Sequence, residues 1–475
     1  MLASKYDIHL KTDAYTILNM FRIVNNDYLN KWDFFSHGIK LLVTVLITFG
    51  MASCNDDSTD SEPDPEPTST FKLHIGKENV VQMDMEAPDY YPPMYRIVLG
   101  MDDLPADEKI IYLGGVYSTE NPEPNISDCT LIYDYSDYEE IQNWNWEKEP
   151  LYWRCMFLFH PLPGTTYYVR GYVQTDKGEY YSNTIEVQSG HTKPIAQNPD
   201  AYEIPVIFHL YPDAEGNYQV KEWMVKEQLD FANHVFGNYY NIPGQTETGV
   251  RFVAATHTPD GIPLETPGIV RETEAVEIDF RNIELDDKYK WNTEHVLNVW
   301  VCPIKNTDGI VNEYSILGGL TFFPYFDADE MLEGCNELSQ SNTYTGIFLN
   351  SQSMLVANNV ATFAHEAGHF LALDHVFAPG DDFCNDTPWY DFETHRAKTQ
   401  GALEFKRTGG TGEMFWSDNI MDYDYGFMTG FTHDQVERIR YTLQYAYFIP
   451  GKAGKVIPTA RSNKQPHRFG DKPIH

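Results

Sequence analysis

Apolar residues recur along this chain with two different periods, and the change from one to the other divides it. Between residues 71 and 190 the runs are short, alternating and rich in aromatics: Tyr95–Leu99, Ile110–Tyr117, Trp153–Phe159, Thr166–Thr175 and Tyr180–Val187. Turn signals separate them, among them Pro161-Leu162-Pro163-Gly164 and Asp176-Lys177-Gly178. Period-two alternation turns one face of each strand toward a core, so residues 71–190 are expected to form an all-β sandwich. No catalytic constellation stands out there, which suits a spacer or docking module.

His191–Pro199 reads as a linker, and from Tyr202 the pattern becomes mixed. Ile204–Leu210, Val250–Ala254 and Val296–Val301 are expected strands, as are Gly318–Phe323 and Thr345–Leu349. Lys221–Phe236 places Trp223, Met224, Leu229, Phe231, Ala232 and Val235 at helical spacing. Asn359–Leu373 is an expected helix with Asn358 or Asn359 as N-cap, and Thr432–Ala446 an expected last helix. Together these define an α/β unit over 203–448, followed by a loose, basic tail at 451–475.

Composition narrows the setting. With 34 Lys+Arg against 70 Asp+Glu the net charge is −36, which repels phosphate backbones and argues against a nucleic-acid partner. The 42% hydrophobic fraction is that of a globular protein. Six Cys without CxxC spacing make no disulfide scaffold, although Cys129 and Cys155 share the β-module and could pair after export.

The N-terminal region predicts export. Leu41–Met51 is an apolar run too short to span a bilayer, preceded by Lys40 and followed by Ala52-Ser53-Cys54. Met51-Ala52-Ser53-Cys54 resembles a bacterial lipobox, which implies lipidation at Cys54 and a signal region over 1–53. Residues 54–70 are acidic and Pro-rich and cannot bury a core, so they read as a tether; they resemble the export signal of Bacteroidota surface lipoproteins. The expected location is the outer membrane or cell surface, held by the lipid.

The chemistry lies in His365-Glu366-Ala367-Gly368-His369-Phe370-Leu371-Ala372-Leu373-Asp374-His375. On a helix, residues four apart sit nearly above one another, so His365 and His369 can aim at one point and hold a metal such as zinc. Glu366 lies on the same turn, where a carboxylate can act as general base on water. His375 follows His369 by six residues and would face away on a continuing helix. It becomes a third ligand only if the helix stops near Ala372 and the chain folds back. Three neutral His ligands leave a position open, the pattern of a catalytic zinc site.

These residues resemble the metzincin signature HExxHxxGxxH, and within it the pappalysin family. Asn419-Ile420-Met421-Asp422-Tyr423 looks like that family's Met-turn, Cys384-Asn385-Asp386-Thr387-Pro388 like its C-D-D-T-P stretch, and Phe431-Thr432-His433-Asp434-Gln435 like its FTxxQ helix opening. Ile204–His209 and Leu297–Val301 resemble its strands. The resemblance implies a zinc metalloendopeptidase acting on protein or peptide substrates. It implies that Met421 forms an apolar floor under the ligands and that Tyr423 donates to the oxyanion. It also implies structural calcium, toward which Asp381, Asp382 and Asp386 could contribute. Pro163–Tyr172 and Gly115–Thr119 resemble parts of a fibronectin type III-like module.

Two positions depart from the family. Ala372 stands where the signature has Gly, at the expected fold-back. Gly426-Phe427-Met428 stands where a Cys usually follows the Met-turn, which leaves Cys384 without that partner and Cys302 or Cys335 as candidates. Ala372 feeds an alternative from another class, a catalytically silent surface-binding lipoprotein on the same scaffold. A zinc hydrolase of non-peptide amides is a third reading.

Overall fold

The computed structural model describes residues 72–451, except 78–79, 84–85, 103–107, 109, 127–129, 132–154, 159, 191–197, 280–282, 284–286, 306–317, 339–344, 355–359, 379–381, 400–404 and 424–425. The signal region, Cys54, the tether, Cys129, Asp381, the Asn358/Asn359 cap and the tail from 452 lie outside the described residues.

The N-terminal part is built from strands. Lys72–His74 (β1) pairs with Gly100–Asp102 (β4), and Val80–Gln82 (β2), Tyr95–Val98 (β3) and Cys155–Leu158 (β7) form an antiparallel sheet. A second sheet joins Ile185–Ser189 (β10), Thr165–Thr175 (β8), Ile110–Ser118 (β5) and Thr130–Leu131 (β6), with Glu179–Tyr181 (β9) beside β8. Alternate residues of both sheets turn inward: Tyr95 and Ile97 meet Tyr167, Val169, Val173, Ile185 and Val187 in one apolar cluster. The single strand expected over Tyr180–Val187 is two, β9 and β10, because Ser182 turns to donate to the Asn183 carbonyl and accept from Gly171 N–H.

The second part is organised around a mixed sheet of order Val250–Ala254 (β12), Tyr202–Leu210 (β11), Leu297–Cys302 (β15), Ile347–Asn350 (β20) and Gly319–Thr321 (β17), with Ile269–Arg271 (β13) also on β11. All pairs are parallel except β17–β20. Strand β15 is buried at every position, as a central strand covered on both faces must be. Short pairs flank this sheet: Ile278–Asp279 (β14) with Ile304–Lys305 (β16), Tyr325–Phe326 (β18) with Asn336–Glu337 (β19), and Lys406–Thr408 (β21) with Met414–Trp416 (β22).

Helix α1 (Glu222–Phe236) buries Phe231, Ala232 and Val235 of the predicted stripe together with Val225 and Phe236, while Trp223, Met224 and Leu229 are only partly buried. After a short turn of helix, α2 (Ser351–Met354), comes α3 (Thr362–Phe370). Then come α4 (Phe392–Thr399) and α5 (His433–Tyr445). One large core joins β11, β12, β15, β20, α1, α3 and α5. Among the described residues, no helix is long and apolar enough to cross a membrane.

Helix α3 is shorter than its apolar pattern suggests at both ends. It starts at Thr362 after Ala361, whose side chain caps nothing. Instead Gln228 of α1 accepts a hydrogen bond from Phe363 N–H at 2.9 Å, supplying a partner that a first helical turn lacks.

Candidate metal centre and active site

The end of α3 brings the three histidines together. Leu373 N–H donates to the Gly368 carbonyl and Ala372 N–H to the His369 carbonyl, each at 3.0 Å, the hydrogen-bond pair of a Schellman turn. That turn needs a left-handed residue, and Ala372 takes it with φ +75°. The apolar run through Leu371 and Leu373 continues past the helix because both side chains are buried in the core, not because the helix persists. Buried Arg438 of α5 donates to the Ala372 carbonyl through Nε at 3.2 Å and Nη2 at 3.0 Å, and Nη2 also reaches the Glu333 carbonyl. Asp374 accepts from His375 N–H at 2.8 Å and completes the fold-back.

Within this frame the Nε2 atoms of His365 and His369 each lie 3.0 Å from Nε2 of His375. Ligand nitrogens on a tetrahedral zinc lie about 3.3 Å apart, so the spacing suits one ion. The tautomers agree with it. His365 Nδ1–H donates to the Ile420 carbonyl at 2.8 Å and His369 Nδ1–H to the Leu373 carbonyl at 2.7 Å. Their Nε2 lone pairs are thereby left facing a shared point, an arrangement that favours a cation. Burial pushes the His365 imidazole down to about 4, which keeps it neutral and able to ligate. Among the described residues, this trio is the only group of His, Cys, Asp or Glu arranged to hold a metal.

Glu366 is buried on the same turn. Edge strand β17 passes so close that a Cβ on Gly319 would fall 2.7 Å from Glu366 Cγ and 2.9 Å from its Oε1. Met421 is fully buried under α3, with its sulfur in the space that a Cβ on Gly368 would need. The Tyr423 ring packs 4.4 Å from that of His375 and 5.4 Å from that of His365. Its backbone carbonyl accepts from Arg407 Nη2 at 3.0 Å, and Arg407 Nε lies 3.3 Å from Asp422. Asp422 also accepts from the hydroxyls of Tyr390 and Ser417.

The Met-turn is tied to the last helix through paired amides. Asn419 Nδ2 donates to Gln435 Oε1 at 2.7 Å, Gln435 Nε2 returns a bond to Asn419 Oδ1, and Met421 N–H donates to that same oxygen. Gln435 also closes a capping box with Thr432 at the start of α5. Before them, Asn385 N–H donates to Asp434 and Asp434 N–H to Asp386, which links the 384–388 stretch to α5.

Several of these residues escape a reading by motif. Gln228, Gly319, Arg407 and Arg438 act from distant parts of the chain, and only their fold contacts reveal them. Asp382 accepts from Thr387 Oγ1 and Cys384 N–H, so its oxygens serve a local turn. Cys302, Cys335 and Cys384 are all free thiols. His209 is buried between Glu272 and Asn298, the setting of a structural histidine.

A parallel-rich sheet over a helix that ends in a histidine fold-back, with a buried carboxylate beside the trio, defines a zinc metallopeptidase site. Residues 281–444 match the family model described as Pregnancy-associated plasma protein-A, so the chain carries a zinc metalloendopeptidase domain similar to the pappalysins. No curated protein matches the chain. Among solved structures, a Tannerella forsythia promirolysin mutant is 21% identical, covering 53% of this chain and 83% of its own, with a TM-score of 0.35. Tannerella forsythia mature mirolysin in complex with a cleaved peptide is 22% identical over 51% of this chain and 92% of its own, also at 0.35.

Proposed function

We propose that this protein cleaves peptide bonds of extracytoplasmic proteins or peptides, with Glu366 as the general base. The observation that carries the reading is Glu366 itself: a buried carboxylate one residue from His365, in space that Gly319 leaves open. A purely structural metal site has no need of that side chain.

Zinc held by His365, His369 and His375 would supply Lewis acidity, polarising a carbonyl and lowering the pKa of water toward ~7. Glu366 takes the proton of the attacking water and hands it to the departing amine. The Tyr423 phenol donates a hydrogen bond to the oxyanion as it develops. Arg407 and Asp422 hold the backbone from which that phenol projects.

The wider setting is part of the same proposal. Residues 71–190 act as a fibronectin type III-like sandwich, a reading supported by inward-facing residues from two antiparallel sheets. Residues 203–448 form the catalytic domain. Lipidation at Cys54 and the 54–70 tether hold both at the outer membrane or cell surface. The silent-scaffold alternative drew on Ala372, and the hydrogen bonds of that turn are made without the glycine.

The test is digestion of a mixed peptide library by the purified full chain beside Glu366→Ala, with zinc content measured for both. Cleavage by the wild type alone supports the peptidase reading. Zinc bound without cleavage by either chain would overturn it. Product analysis of amide substrates would then separate a non-peptide amidase from a binding protein.

A further inference from the structure

The loop that carries Met421 and Tyr423 has a closed neck. Phe427 N–H donates to the Ser417 carbonyl at 2.7 Å and Thr429 N–H to the Asp418 carbonyl at 2.8 Å. Gln245 Nε2 adds a bond to that same Asp418 carbonyl. Inside the neck, the Ser417 hydroxyl binds the Asp422 carboxylate, and Asp422 directly precedes Tyr423. Whatever fixes Asp418 and Phe427 therefore fixes the base from which the floor and the phenol of the site project.

What grips this neck comes from the other part of the chain. Tyr91, between β2 and β3, stacks on Phe427 with ring centres 4.2 Å apart and planes within 10°. Its hydroxyl donates to Asp418 Oδ2 at 3.0 Å. Met94 joins Phe405 and Phe427 in a small buried cluster, with Tyr91 and Trp416 packed against it. His160, just after β7, hydrogen-bonds through its ring to the Phe427 backbone. The His160 carbonyl accepts from Tyr240 Oη at 2.8 Å, and its ring packs on Phe231 of α1. Tyr117 of β5 adds a bond to Glu227 of α1. A detached spacer would leave these aromatic and polar groups in water. Here an aromatic stack and hydrogen bonds with specific partners converge on one short stretch of backbone.

We propose that the N-terminal β-module is a positioning part of the catalytic unit, in which Tyr91 and His160 hold the neck of the loop bearing Met421 and Tyr423. The inference rests on the peptidase reading of that loop. Neither residue touches substrate or metal; both act through Asp418 and Phe427. Their loss is expected to slow turnover while leaving the histidine trio loaded.

The experiment compares Tyr91→Ala, Tyr91→Phe and His160→Ala in the full chain with wild type, recording kcat, KM, zinc per chain and hydrogen exchange over 417–429. A fourth variant, Val187→Ala, weakens a β-module core cluster separate from the Met94–Phe405–Phe427 cluster and controls for general destabilisation. Tyr91→Ala and His160→Ala are expected to lower kcat about fivefold to tenfold with KM and zinc content nearly unchanged, and to speed exchange at Met421 and Tyr423. Tyr91→Phe keeps the stack and should recover most of kcat. Wild-type kcat and exchange in both alanine variants would overturn the proposal, as would an equal loss in Val187→Ala. A wild type that cleaves nothing would instead sink the peptidase reading, and the exchange data would still decide whether Tyr91 and His160 hold the loop.

Discussion

The sulfur of Met421 occupies the space into which a side chain at residue 368 would grow: a Cβ on Gly368 would lie 2.2 Å from Met421 Sδ. The Met-turn can therefore approach α3 between His365 and His369 only because Gly368 has no side chain. Gly368→Ala should push Met421 away and strain the helix that holds two ligands. Overpacking of this kind costs about 1–3 kcal/mol, and zinc affinity should fall with it. Adding Met421→Ala should recover part of the loss, because the methyl then enters vacated space. A double-mutant cycle read by denaturant unfolding checks this; additive losses would refute the contact.

Ala372 sits in the left-handed turn that a glycine would enter freely. An L-residue there costs about 1 kcal/mol, offset in part because glycine loses more chain entropy on folding. Ala372→Gly should therefore stabilise the protein by up to about 0.5 kcal/mol and keep zinc and activity. Arg438 explains how the chain tolerates alanine, since its guanidinium binds the carbonyl of the turn. A midpoint shift in chemical denaturation is the measurement, and a destabilised glycine variant would contradict the strain argument.

The site was legible where function is written as local spacing. His365, Glu366 and His369 follow from helical geometry, and His375 from a fold-back that Ala372 does adopt. Met421 and Tyr423 are implied by resemblance, and the structure places Met421 against Gly368 of α3 and Tyr423 against His365 and His375. Strand β12 has the predicted bounds, its buried residues Val250 and Phe252 alternating with a partly exposed one as the period of a strand requires. The apolar pattern overshoots the C-terminal end of α3 because Leu371 and Leu373 are buried beyond the last helical residue. Gln228 and Arg438 were invisible because their partners lie 135 and 66 residues away, a separation no local pattern encodes. The docking of Tyr91 on Asp418 spans 327 residues and is likewise beyond a local pattern, so the sequence leaves the β-module as a spacer or docking module.

Gly319 sets the room available to Glu366. A methyl at 319 would lie within 3 Å of Glu366 Cγ, Cδ and Oε1. The carboxylate must then move, while the three atoms nearest that methyl all belong to Glu366 and none to the histidine trio. Gly319→Ala should leave zinc bound and lower kcat/KM by roughly 10–100-fold, the scale expected when a reacting group is misplaced by about 1 Å. Zinc analysis with steady-state kinetics tests this. Loss of metal would show instead that the methyl disturbs the helix as a whole.

Asp418 gives a pH test with a defined sign. Burial, ahead of every other cause, raises its carboxyl from 3.8 to about 6, although the Tyr91 hydroxyl partly opposes the rise. The folded chain thus binds this proton more tightly than the unfolded chain. The associated stability is complete below about pH 4 and is lost as pH rises through about 6. Asp418→Asn resembles the protonated form and can still accept from Tyr91. It should match the wild type near pH 4 and exceed it at pH 7, by up to about 3 kcal/mol. His160 and His234, both lowered to about 4 by burial, weaken the fold toward acid in either chain and cancel in the difference. The difference in unfolding free energy, measured from pH 4 to 8, should rise through that window and then level off. A flat difference would mean that Asp418 is better solvated than its burial implies, and would weaken the case that Tyr91 seals the neck of the loop.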